Sequence, residues 1–422
     1  MDSNRLLTHS LQDQRVARIL AAALEAVEPG AIVRRFLSDV PLPPHKRLFL
    51  LGIGKAAEAM VAAAAEMLPG YSSALMITKR AVMPPLPRAT VIEAAHPLPD
   101  ARSVVAGRAA LDLVSKLSEY DLLVCLVSGG GSALATAPRK GIGLRDIQTV
   151  TNALLAAGAR IDEINTLRRH LDSIKGGGLA RHTRANVLTL LLSDVVGDHL
   201  EAIASGPTAP DPTSGTDALA VLDKYEITVP ANVYTLLSAG ASTDRAVFAR
   251  VRNVIVGNNE VALQAALARA EAEGFESEIL QRDVQGEARV IGEQFAAKLR
   301  DISEKGARPR CLICGGETTV TLRGNGKGGR NQELALAAVD PMAGLRDVLL
   351  VALATDGDDG PTDAAGAVVT GTTQTRGRTL HMLASHYLEQ NNAYSYFESL
   401  GDLLKPGYTG SNVNDVILLV AL

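Results

Sequence analysis

Residues 47–60 read RLFLLGIGKAAEAM, and this stretch decides the fold. An apolar run from Leu48 to Leu51 passes through Gly52 and Gly54 directly into an alanine-rich helical pattern. A buried strand that turns on glycines into a helix is the opening of a βα unit. The same grammar returns at residues 121–134, DLLVCLVSGGGSAL, where a wholly apolar strand meets Gly129, Gly130 and Gly131 between Ser128 and Ser132.

Working outward, residues 73–79, 89–94 and 186–194 read as further strands, and residues 56–68, 101–117 and 144–158 as the helices between them. Such alternation calls for a layered α/β domain with a mainly parallel sheet. Residues 208–217, TAPDPTSGTD, read as a surface loop. A second alternation follows, with strands expected at 251–259, 276–280, 310–316, 318–322, 347–357 and 415–422, and helices at 260–274, 288–306 and 331–340. Two α/β domains are therefore expected, residues 1–240 and 241–422.

Composition narrows the chemistry. The 422 residues are 47% hydrophobic and 21% charged, as in globular chains, and exceed the size of one ordinary core. Forty-six acidic against 42 basic residues give a net charge of −4, with no basic run to track a nucleic-acid backbone. No Trp and 3% aromatics leave few platforms for stacking bases. No apolar segment approaches the roughly 20 residues of a membrane span, and the first 30 residues read as an amphipathic helix rather than a signal peptide. Three cysteines cannot build a disulfide framework, so a cytoplasmic protein is expected. Cys311 and Cys314 lie three apart on an expected strand, point to opposite faces and read as core. The sequence leaves the oligomeric state open, a homodimer included.

The glycine loops carry the candidate chemistry. Gly52, Gly54 and Lys55 stand where backbone, helix N–H groups and an ammonium can meet an anion. The segment passes for a dinucleotide GxGxxA turn, but the next strand ends at Thr78-Lys79 without the acidic ribose ligand. Ser128, Gly129, Gly130, Gly131 and Ser132 can present several N–H donors to a phosphate or carboxylate. Residues 165–180, NTLRRHLDSIKGGGLA, crowd Arg168, Arg169, His170, Asp172 and Lys175 onto one short helix. Density of this kind is as often a solvated face as a site. Asp194 ends an apolar strand, where open α/β sheets bind ligands and metals. In the second half, GNGKGGRNQE sets Lys327 and Arg330 beside glycines, and ATDGDDGPTD gathers Asp356, Asp358, Asp359 and Asp363. That aspartate loop lacks the closing Glu of an EF-hand and suits Mg²⁺ shared with phosphate oxygens. His96, His182 and His199 stand alone and read as packed or capping residues.

In these words the chain resembles the glycerate 2-kinase family with a C-terminal MOFRL domain. The words are GIGKAA, HPLPDARS, LVSGGGSAL, NTLRRHLDSIKGGGLA, LLLSDVVGD, ASGPTAPDPT, CGGETTVTLRGNGKGGRNQELALA, ATDGDDGPTDAAGA and PGYTGSNVND, in register from about residue 15 onward. The resemblance implies a Rossmann-like N-terminal domain, a MOFRL region at about residues 305–420, an active-site cleft between the domains, ATP and Mg²⁺, and D-glycerate as the phosphoryl acceptor. It puts the catalytic lysine at Lys55 and the catalytic arginine at Arg330, with Asp194 and Asp356 as metal ligands or base. Ser128 to Ser132, Gly52, Gly54 and Lys327 are then expected around the nucleotide. Arg169 and His96 are candidates for the substrate carboxylate. Some family members are called hydroxypyruvate reductases, so NAD(P)H-dependent reduction is the alternative, and a non-catalytic carboxylate sensor a third reading.

Overall fold

The computed structural model describes residues 1–422 except 85, 241–244 and 306–308. They form two compact units, one of Pro29–Val256 and one combining Met1–Glu28 with Gly257–Leu422. The expected boundary at residues 240/241 adjoins residues 241–244, which lie outside the described residues. Beyond it, residues 251–256 still belong to the first unit.

The first unit carries six strands, β1 (Arg47–Ile53), β2 (Ser73–Thr78), β3 (Ala89–Glu93), β4 (Asp121–Val127), β5 (Asn186–Leu192) and β6 (Val251–Gly257). Their order in space is β3-β2-β1-β4-β5-β6. Neighbours from β3 to β5 pair in parallel. Every residue of β4 is buried, as is all of β1 after Arg47, which accounts for their unbroken apolar sequence. At the N-terminal ends, Arg47 grips Asp121 through two hydrogen bonds of 2.9 and 2.8 Å, fixing the register of β1 against β4. The order reverses between β1 and β4, and in open α/β sheets a crevice opens beyond the carboxyl ends of strands at such a reversal.

The second unit carries β7 (Glu276–Val284), β8 (Arg310–Gly316), β9 (Val348–Ala354), β10 (Gly366–Thr370), β11 (Leu403–Leu404) and β12 (Asp415–Ala421), ordered β11-β10-β9-β12-β8-β7. Here β7 and β8 are parallel, while β12 runs antiparallel between β8 and β9. The start of β12 is thereby set between the carboxyl ends of β8 and β9, with Asp415 opposite both Gly316 and Ala354. Cys311 and Cys314 are fully buried in β8, and burial pushes both thiols up to about 12. The expected strand at 318–322 is absent. Thr319 makes one isolated bridge to Glu287, and Thr321 hydrogen-bonds the Glu287 side chain, so the β-branched residues brace a loop.

Residues 14–26 form a helix that buries Val16, Ala17, Ile19, Leu20, Ala23 and Leu24. It packs on the helix Asn259–Ala272, and Arg18 reaches Glu273 at 2.5 Å. This is why the start of the chain belongs to the second unit.

Candidate active site

At the reversal point the loops after β1 and β4 are sewn together. Ser128 N–H donates to the Ile53 carbonyl at 3.0 Å, Lys55 N–H to the Gly129 carbonyl at 3.0 Å, and Ala56 N–H to Ser128 Oγ at 3.0 Å. Gly54, at φ 134°, permits this seam, since a Cβ there would lie 2.2 Å from Ser128 Oγ. The amides of the first loop are therefore spent inside the protein, Gly54 N–H included, which donates to Ile77. What this loop offers a ligand is the Lys55 side chain, not the helix N–H groups expected from sequence.

The second loop is the opposite. The N–H groups of Gly129, Gly130, Gly131 and Ser132 find no acceptor among the described residues. Four consecutive unpaired amides make an anion-binding concavity. Each residue of the loop also meets a different neighbour. A Cβ on Gly129 would lie 2.0 Å from Asp194 Oδ2, and one on Gly130 would touch Lys55 and the His96 ring at 3.2 and 3.0 Å. Ser132 Oγ hydrogen-bonds Ser205 Oγ at 2.5 Å, which in turn reaches Asn165. Ala204 and Ser205 both sit in the left-handed region, at φ 50° and 57°, a costly conformation held by this packing.

The electrostatics are lopsided. Burial, and then Lys55, Lys79 and Arg168, hold the His96 imidazole down at about 4. Burial pushes the Asp194 carboxyl above the usual range, against its own backbone N–H and Lys55. Lys55, Lys79 and Arg168 make no ion pair among the described residues. Three cations around a neutral imidazole call for an anionic ligand.

The crowded helix, Ile161–Leu171, is largely buried instead of solvated. Arg169 is paired with Asp211 at 2.8 Å, and His170 Nε2 lies 3.2 Å from Thr213 Oγ1. Lys175 and Asp172, both almost fully buried, pair at 2.5 Å. Arg169, a candidate for the substrate carboxylate, is thus committed to holding the loop that contains Asp211.

In the second unit, Arg330 opens the helix Arg330–Ala338 and forks onto Asp415 through Nε and Nη2, at 2.7 and 2.8 Å. Its Nη1 lies 3.1 Å from Glu317. Although burial opposes its charge, Asp415 and Glu317 hold the guanidinium above its ordinary value. Asp415 closes the word PGYTGSNVND, yet nothing in the sequence marks it as Arg330's partner. Asp359 accepts from Asn331 and Gln332 N–H at 3.2 and 2.9 Å, capping the same helix, and burial raises its carboxyl to about 7. Asp356 lies at the carboxyl end of β9, its Oδ1 accepting from Asp358 N–H at 3.2 Å. Lys327 rests over the Tyr394 ring, 3.9 Å from its centroid. In the GNGKGG loop, Gly324, Gly326 and Lys327 N–H donate to Asn391, Gln390 and Asn392, which braces this stretch of the GxGxxG match against residues 390–392. Among the described residues no group of three or more His, Cys, Asp or Glu is placed to hold a metal. No helix among them is long and apolar enough to cross a membrane.

A reversed parallel sheet with an unpaired amide loop, a lysine and an acid at its switch point defines an α/β protein built to bind a small anion. Comparison with known proteins then fixes the kind. Residues 15–238 match a domain of unknown function, DUF4147, and residues 310–415 match the MOFRL family. A glycerate 2-kinase from Pyrococcus horikoshii is 37% identical over 96% of each chain. A relative from Agrobacterium vitis, provisionally named a hydroxypyruvate reductase, is 38% identical over 96% of this chain and 93% of its own. The crystal structure of glycerate kinase from Thermotoga maritima superposes with a TM-score of 0.91 at 38% identity, covering 96% of this chain and 98% of the other. The chain belongs to the glycerate kinase family, and is an enzyme of that type.

Proposed function

We propose that the protein transfers the γ-phosphoryl group of ATP to the 2-hydroxyl of D-glycerate, giving 2-phospho-D-glycerate. The observation that carries this reading is the run of unpaired amides from Gly129 to Ser132 beside Lys55, a set of donors with no purpose in the fold itself. Lys55 neutralises charge on the transferring group, and the amides hold its oxygens. Such transfers depend on positioning and charge stabilisation more than on covalent help from the protein. Asp194 is suited to hold the acceptor hydroxyl and take its proton, because its carboxyl is already pushed toward a basic value. Arg330, held by Asp415 through Nε and Nη2, keeps Nη1 to donate to a phosphate oxygen once Glu317 yields.

Asp356 is a hard oxygen donor of the kind that would hold Mg²⁺, which takes only one or two carboxylates alongside phosphates and water. When bound, the ion neutralises phosphate charge. The reductase reading is less well supported: the turn after β1 has spent its amides, and β2 leads to Lys79 where an acid would hold a ribose. Three unpaired cysteines support a reducing, cytoplasmic setting.

Incubation with D-glycerate and Mg-ATP, followed by phosphorus NMR, should show phosphate on C2, and a chelator should stop the reaction. Oxidation of NAD(P)H by hydroxypyruvate without ATP turnover would overturn the assignment.

A further inference from the structure

One charge on the segment from Arg168 to Lys175 has no structural work among the described residues. On this segment, Arg169 is paired with Asp211, His170 meets Thr213, and Asp172 is paired with Lys175. Only Arg168 has neither a hydrogen bond nor an ion pair among the described residues, although it is half-buried. A guanidinium stripped of part of its water and given no counter-charge is costly to keep. Its cost is compounded by Lys175 nearby, whose pairing with Asp172 is complete and leaves nothing for Arg168.

Arg168 lines a narrow recess with Pro99, Ser132, Thr136, Asp172 and Lys175, and because Asp172 and Lys175 neutralise each other the uncompensated charge there is that of Arg168. The recess has a free volume of about 10 Å³, of the order that one water-sized group fills. Neither a nucleoside nor a whole carboxylate group can enter; a single carboxylate oxygen can. Two of the lining residues come from segments already tied to the site: Pro99 follows His96, whose ring abuts Gly130, and Ser132 ends the amide loop. The loop thus runs from Asp194 at Gly129, past Lys55 and His96 at Gly130, to the Arg168 recess at Ser132.

We infer that Arg168 anchors the carboxylate of the hydroxy-acid substrate, which sets one oxygen into the mouth of the Ser132 recess and leaves its hydroxyl toward Lys55 and Asp194. The inference rests on the kinase reading for the identity of the acid, but the anchor itself is read by binding. It accounts for specificity: a planar fork matches a carboxylate bidentately, and a neutral polyol would leave it unpaired.

The test compares Arg168→Lys and Arg168→Met with the wild type. The expected result is a rise in KM for D-glycerate of about tenfold to a hundredfold, the worth of a hydrogen bond to a charged group, with KM for ATP within threefold. Calorimetric titration with D-glycerate alone should weaken in parallel, and preference for glycerate over neutral glycerol should shrink. In Arg168→Gly, added guanidinium should restore part of the lost affinity, which a fold defect would not permit. A rise confined to KM for ATP would give Arg168 to the phosphates and overturn the inference, as would unchanged constants. Should Arg168→Met fold poorly, Arg168→Lys keeps the charge and decides by the same constants. If the wild type binds D-glycerate but does not phosphorylate it, the kinase reading fails while the anchor stands.

Discussion

At the scale of single residues, Lys55 and Arg330 differ in how the fold uses them. Lys55 makes no side-chain hydrogen bond among the described residues, so Lys55→Met should cut kcat by roughly 10²–10³-fold, the usual worth of one preorganised donor, with little change in thermal midpoint. Near-native kcat would return Lys55 to the surface. Arg330 is gripped by a buried carboxylate, so Arg330→Lys should lose both geometry and stability. Single-turnover rates at saturating substrates should fall roughly a hundredfold, since arginines at phosphoryl transition states are worth about 10³–10⁵. A rate within threefold of wild type would leave Arg330 a structural residue. His96 offers a third measurement: its imidazole, held at about 4, should be neutral at pH 7 and should titrate upward when D-glycerate or phosphate binds nearby, because an anion favours the protonated ring. NMR titration of the ring, with and without ligand, reads the sign directly; a shift downward would place the anion elsewhere. Lys55, Asp194 and the amide loop were legible because each follows a glycine turn or an apolar strand end. The commitment of Arg169 to an ion pair was not, since its partner Asp211 lies 42 residues further on.

Among elements, the strands read most surely are those with no polar residue to mislead. All of β4 and nearly all of β1 are buried, so length and flanking glycines sufficed. β10 and β11 went unread: one is five residues of small and β-branched side chains after a turn, the other only two residues long. For the charged stretch from Arg168 to Lys175 the sequence left a solvated face and a site equally open, and the helix ends at Leu171, short of Asp172 and Lys175. The buried Asp172–Lys175 pair just past the helix holds the loop after β4, because Lys175 also donates to Ala135 and Thr136, and Asp172 accepts from Ala137 N–H. Lys175→Met should therefore destabilise the first unit by about 3–5 kcal/mol, the penalty for leaving one buried charge alone. Denaturant melts would show it as a lower midpoint at unchanged slope. A loss below about 1 kcal/mol would mean that water reaches Asp172.

For the whole molecule, sequence order misled more than sequence content. The amphipathic pattern in the first 30 residues is a helix, but its partner lies beyond residue 256. Leu20 is fully buried there, and Leu20→Ala should cost about 2–5 kcal/mol. Hydrogen exchange should then quicken in residues 257–422 and leave residues 29–256 unaffected, although the substitution lies near the start of the chain. The opposite pattern would reassign the helix to the first unit. The same arrangement has a meaning in time. A ribosome delivers the helix of residues 14–26 first, then residues 29–256, and only afterwards the helix Asn259–Ala272 that covers it. At about 5–20 residues per second, the leading helix waits on the order of 10–50 s with its apolar face uncovered. During that interval the nascent chain is a client for whatever in the cell shields greasy helices.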